Sequence, residues 1–75
     1  MEIVLIQIFN ILDKEPRQFW SITEILEELE KKGCHTTRVT INKKLQFLIK
    51  LHIVKKQIQR TGQKRVPTQK FIIDA

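Results

Sequence analysis

The side chains with the most specific chemistry to offer lie between Thr37 and Arg65, in the stretch TRVTINKKLQFLIKLHIVKKQIQRTGQKR. On a helical wheel of about 100° per residue, Ile41, Leu45 and Leu48 fall on one side of its first half. Val39, Lys43, Gln46 and Lys50 fall on the other side, with Thr40 and Asn42 on the flanks. Such an outward set is suited to base edges. Lysine donates to guanine O6 and N7, asparagine pairs with adenine through two hydrogen bonds, and valine packs on the thymine methyl. The second half turns at Thr61-Gly62-Gln63, and Arg60, Lys64 and Arg65 crown that turn. A basic turn of this kind suits phosphates or a narrow, electronegative minor groove.

Charge is distributed to match. Residues 1–30 hold seven acids against two bases, a net of −5, and residues 31–75 hold twelve bases against Asp74, a net of +11; the whole chain carries +6. Segregated lysine marks a polyanion-facing surface, whereas scattered lysine marks solubility alone. Other chemistries are poorly provided for. Cys34, His35 and His52 lack CxxC or HxxxH spacing, so no metal and no other cofactor is expected. The carboxylates cluster on the solvent side of the second helix, with no nucleophile–base pair or glycine-rich phosphate loop. Neither an enzyme nor a small-molecule ligand site is therefore expected. One cysteine excludes an internal disulfide framework. No apolar run reaches the roughly 18 residues of a membrane span, and the start MEIVLIQIFNILDK lacks the basic n-region and cleavage site of a signal peptide. The expected place of work is the cytoplasm, on the nucleoid.

These side chains need elements to hold them. At 75 residues and 41% hydrophobic content the expectation is one globular domain, 1–75, near the lower size limit for folding without staples. A first helix is predicted over residues 2–14, with Leu5, Ile8, Phe9 and Leu12 as its core face and Val4 and Ile11 widening it. It ends before Pro16, because the residue preceding proline disfavours helix. Ile3 and Ile6 lie towards its polar side, giving more apolar surface than an outer helix of a small domain usually keeps. Ile3, Val4, Ile6 and Ile11 are accordingly assigned to a homodimer interface, with two-fold pairing doubling the contacts to a palindromic site. Phe19 and Trp20 form a short extended piece. Ser21 and Glu24 make a capping box for a second helix carrying Ile22, Ile25, Leu26 and Leu29 inward, closed by a left-handed Gly33. Thr37 caps a third helix running to about Leu51, with Ile49 and Leu51 flanking its core stripe. Two strands follow, from Ile53 to Arg60 with Val54 and Ile58 on one face, and from Lys64 to Ile73, with Phe71 and Ile73 closing over the helices.

That order, with a tight turn between SITEILEELEKKG and TRVTINKKLQFLIKLHIV and then the hairpin IVKKQIQRTGQKRVPTQKFII, resembles the winged helix-turn-helix domain. The fold class implied is α+β, three helices with a C-terminal β-hairpin wing. The spacing of Gly33, Thr37, Thr40, Ile41, Leu45, Leu48 and Val54 is similar to the DNA-binding half of ferric-uptake-type regulators, and MarR- and ArsR-type domains share much of it. The resemblance implies double-stranded DNA as partner and work as a small transcriptional regulator. The third helix would enter the major groove through Thr37, Arg38, Val39, Thr40, Asn42, Lys43 and Gln46, Thr37 and the helix N-terminus holding a phosphate. Arg60, Lys64 and Arg65 of the wing would touch backbone or minor groove. One departure from the pattern is His52, where glycine usually follows the third helix, so that end is expected to be capped differently. The metal-sensing and dimerisation domain of such regulators is not carried over. A winged helix can also serve as a protein-interaction module. A third reading, architectural or left-handed nucleic-acid binding, fits Asn42 and Arg38 but finds Gln46 where a stacking aromatic is required.

Overall fold

Apolar side chains recurring at helical spacing draw three helices around one core, and a hairpin closes it. A computed structural model describes residues 3–59 and 68–74. In chain order the elements are α1 (Ile3–Lys14), α2 (Ile22–Lys31), α3 (Arg38–Lys50), β1 (Val54–Gln59) and β2 (Thr68–Ile73). The α+β architecture is the expected one, three helices followed by an antiparallel wing hairpin.

The core face of α1 is centred on Ile8, with Ile11 and Leu12 to either side, all buried. Val4 and Leu5 pack on this core while partly exposed. Two expectations are corrected here. Phe9, placed in the core face, is only half-buried, because it lies about 100° around the helix from Ile8. Ile11, assigned to a partner-facing surface, is 3% exposed and belongs to the chain's own core. Ile3 at 70% and Ile6 at 40% exposure remain on the outside.

The start of α2 is fixed by the capping box. The Ser21 N–H donates to Glu24 Oε1 at 2.9 Å, and the Glu24 N–H donates to Ser21 Oγ at 3.2 Å. Ile25 and Leu29 are buried beneath it. At the far end the Gly33 N–H donates to the Glu30 carbonyl and the Cys34 N–H to the Leu29 carbonyl, the paired bonds of a Schellman ending. Gly33 stands at φ 77°, as the sequence requires of it.

At the end of α3 the same ending recurs with a different residue. The His52 N–H donates to the Ile49 carbonyl and the Ile53 N–H to the Leu48 carbonyl. His52 is at φ 62°. The expectation of a different cap is therefore corrected: the hydrogen bonds are those a glycine would make, and histidine adopts the left-handed backbone to make them. Leu51, expected against the core, is 51% exposed; it is the C-cap residue and lies about 80° around the wheel from Ile41.

β1 and β2 pair antiparallel, from Val54 opposite Ile73 to Gln59 opposite Thr68. Trp20 adds a single-residue third strand: its N–H donates to the Phe71 carbonyl at 2.7 Å, and the Phe71 N–H donates to the Trp20 carbonyl at 2.8 Å. Val54 and Phe71 are buried, and Ile73 packs on the core. Ile58 shares the face of Val54 but is 52% exposed, since it stands four pairs further out along the wing. Arg60, Lys64 and Arg65, with the turn between them, lie outside the described residues.

Because a left-handed backbone costs an L-residue roughly 1–2 kcal/mol, the two helix ends make opposite predictions. His52→Gly should raise the free energy of unfolding by about 1 kcal/mol and Gly33→Ala should lower it by a similar amount. A Cβ at Gly33 meets nothing within 4 Å, so the Gly33 effect reads backbone strain alone. Urea denaturation of both variants measures this.

Candidate nucleic-acid interface

The candidate surface is built on α3, and α3 is held by its own hydrophobic stripe. Ile41 and Leu45 are fully buried and Leu48 is 4% exposed, which fixes the rotation of the helix and so decides what faces out. Its N-terminus is set by Thr37, whose backbone is extended and whose Oγ1 accepts from the Thr40 N–H at 3.2 Å. The same hydroxyl donates to Thr40 Oγ1 at 3.1 Å. One of the free N–H groups of the first turn is thereby satisfied, and the positive end of the helix dipole stays at an exposed edge.

Of the sequence-assigned residues, Thr37, Arg38, Val39, Lys43 and Gln46 are exposed, and Thr40 and Asn42 are half-buried on the flanks. Val39, Lys43 and Gln46 share the outward face of the helix, Thr40 and Asn42 stand on its two flanks, and Thr37 and Arg38 lie at its N-terminal end. Gln46 Nε2 donates to Asn42 Oδ1 across one turn at 3.5 Å. That oxygen keeps a second lone pair, so Asn42 can accept from a base while its amide nitrogen donates. α3 carries no acid along its length, and Lys50 closes its last turn. Two large apolar side chains also stand exposed there, which the sequence reading left out or misplaced: Phe47 at 49% and Leu51 at 51%. Phe47 lies one turn beyond Lys43, on the outward half of the wheel, and its angle alone would have revealed it.

The wing is tied to this helix pair by a polar contact as well as by the core. Lys70 of β2 donates to Glu24 Oε1 of α2 at 3.3 Å. The Glu24 carboxyl is thereby shared between the cap of α2 and the hairpin. Its pKa is lowered, first by the Ser21 N–H and further by the Ser21 hydroxyl and Lys70, against an opposing push from burial. On β1, Lys55 and Lys56 are exposed, and Lys55 lies 3.8 Å from the Asp74 carboxylate. Among the described residues no three potential ligating side chains gather as a metal site. Cys34 is a free, half-buried thiol packed against the core.

A family model described as the ferric uptake regulator family matches residues 6–71. The chain belongs to that family. It is thus placed among transcription regulators of the winged-helix type. The crystal structure of Pex from Synechococcus sp. superposes with a TM-score of 0.74 at 14% identity, over 96% of this chain and 66% of that one. A PadR-like transcription factor from Bacteroides fragilis superposes with a TM-score of 0.74 at 11% identity, over 93% of this chain and 67% of that one. The chain thus spans about two thirds of the length of each, and at such identities the likeness is one of fold. No curated protein sequence matches it. Among the described residues, no helix is long and apolar enough to cross a membrane.

The shared carboxylate makes a pH prediction. The folded pKa of Glu24 lies below its ordinary value of 4.5. Its contribution to stability is therefore complete above that value and is lost as pH falls through the lower, folded one. Glu24→Gln should lower stability at neutral pH and flatten the acid limb of the unfolding curve. Thermal melts of both proteins from neutral to acid pH measure it, and parallel acid limbs would remove the role given to Glu24.

Proposed function

We propose that this chain binds double-stranded DNA in a sequence-dependent manner as a small transcription regulator, working on the nucleoid in the cytoplasm. In this reading α3 lies in the major groove and the wing lies on the backbone or minor groove. The observation that carries it is the division of α3. Its buried stripe locks the helix rotationally, and its acid-free outer strip presents Val39, Asn42, Lys43 and Gln46 at the spacing of base edges. Thr37 and the helix N-terminus, at the dipole-positive end, take a phosphate, with Arg38 beside them and Thr40 on the base-reading flank. Arg60, Lys64 and Arg65 supply the sequence-independent grip of the wing. Membership of a regulator family supports the same reading.

Two copies would read a palindrome. We assign the contact between them to the outer face of α1, through Ile3 and Ile6, with half-buried Val4 at its margin. The residues of α1 from Ile3 to Leu12 are uncharged in a chain that carries +6, so this is a surface on which two such chains meet with little repulsion.

The exposed Phe47 and Leu51 favour a second reading, in which the same helix holds a protein partner. Selection from a random DNA pool separates the two. DNA binding should enrich a palindromic site, with log affinity falling against log salt by about 0.9 per phosphate contacted. Asn42→Ala and Lys43→Ala should each cost about 1–3 kcal/mol on the selected site and little on unrelated DNA. Arg65→Ala should weaken all sequences alike. Unchanged affinity in all three would reject this docking, and no enrichment would leave the protein-partner reading.

The dimer is tested separately, by sedimentation velocity. Wild type should sediment as a dimer at micromolar concentration, and Ile3→Glu with Ile6→Glu as a folded monomer. A wild-type monomer at high micromolar concentration would remove the interface.

A further inference from the structure

The buried stripe of α3 leaves one large side chain outside that the docking proposed for this helix does not use. Ile41, Leu45 and Leu48 are buried, and with Ile41 at zero on a wheel of about 100° per residue the opposite, outward direction lies at about 190°. On the same wheel Lys50 stands at about 180°, Lys43 at about 200° and Phe47 at about 240°. Phe47 is therefore nearer the outward direction than Thr40, at about 260°, or Asn42, at about 100°. It is 49% exposed. It follows Lys43 by four positions and precedes Lys50 by three, so the three side chains form one ridge.

The polar groups nearby are drawn away from the ring. Gln46 Nε2 donates to Asn42 Oδ1 at 3.5 Å, which gathers that amide pair on the opposite flank. The Thr40 hydroxyl accepts from Thr37 Oγ1 at 3.1 Å, back towards the helix start. The outer side of α3 thus divides into an amide flank and a ridge on which a phenyl ring stands between two exposed lysines. The lysines suit phosphates and guanine, whereas the ring needs an apolar complement. The major groove offers one, the C5-methyl of thymine, among base edges that otherwise present donors and acceptors.

We propose that Phe47 reads a thymine methyl in the major groove. The assignment rests on the DNA docking proposed above and adds to it a residue that determines specificity. Asn42 lies five positions earlier, about 7.5 Å back along the helix axis, and stacked base pairs are about 3.4 Å apart. The thymine met by Phe47 therefore falls within about three base pairs of the adenine met by Asn42. Leu51, one turn further on at about 280°, is turned back from the groove floor, so the ring and not the leucine meets the base.

Replacing thymine by deoxyuridine removes this methyl and leaves every hydrogen-bonding group of the base pair in place. The test takes the duplex recovered from the random pool and replaces its thymines one at a time. Wild type should lose about fourfold in affinity, the worth of one buried methyl, at a thymine within that span of the adenine sensed by Asn42. Phe47→Ala should bind the thymine duplex more weakly by at least that factor and should bind the two duplexes equally at that position. Phe47 lies outside the core cluster, so the variant should fold, as circular dichroism checks; should it not, Phe47→Gln serves in its place, with the same expectation. A wild-type scan with no methyl-sensitive thymine in that span would overturn the assignment. So would undiminished discrimination in the Phe47 variant, and either result would leave the docking through Asn42 and Lys43 standing. A pool without an enriched site would overturn both together, leaving Phe47 and Leu51 as a contact for a protein.

Discussion

Two backbone hydrogen bonds between Trp20 and Phe71 hold the wing to the helices, and the relation of hairpin to α3 depends on them. Without that bridge the hairpin would be a two-stranded ribbon, an element with little stability of its own in water. With it, β2 is gripped on one edge by the segment leading into α2 and on the other by β1, and Phe71 is carried into the centre of the core. The Glu24–Lys70 contact lies beside this bridge and joins the same two elements through side chains. One short segment, Phe19 to Glu24, thus ends the first loop, starts the second helix and anchors the last strand. The described strands are thereby fixed against the helix pair, as the two-point grip on a duplex proposed above would require.

How much of this could be read from the residues follows from how local each cause is. The capping box of Ser21 and Glu24, the left-handed Gly33 and the Thr37 cap are fixed by groups within a few positions of each other, and all stand in the structure as the sequence implies. The core stripe of α3 was equally legible, because its polar residues leave one choice of inward face. α1 was harder. With Ile, Val, Leu and Phe around most of its circumference, its rotation is set by what α2, α3 and β2 bring against it. Phe9 and Ile11 were accordingly exchanged between inside and outside. His52 misled for a different reason: a composition rule about glycine describes the cheapest residue for a backbone shape, while the hydrogen bonds to Ile49 and Leu48 demand the shape itself.

The outward strip of α3 was visible in sequence for the same reason as its core stripe, since fixing one face fixes the other. Phe47 was passed over because an aromatic residue is ordinarily counted towards a core, although its angle places it outside.

β1 pairs with β2 along one edge only, and among the described residues its other edge has no strand beside it. An open row of N–H and C=O groups is a template on which a second molecule can add a strand and begin a polymer. Here that row carries exposed Lys55 and Lys56. Two such edges brought together would set these ammonium groups against each other, a repulsion that disfavours adding a strand along this edge.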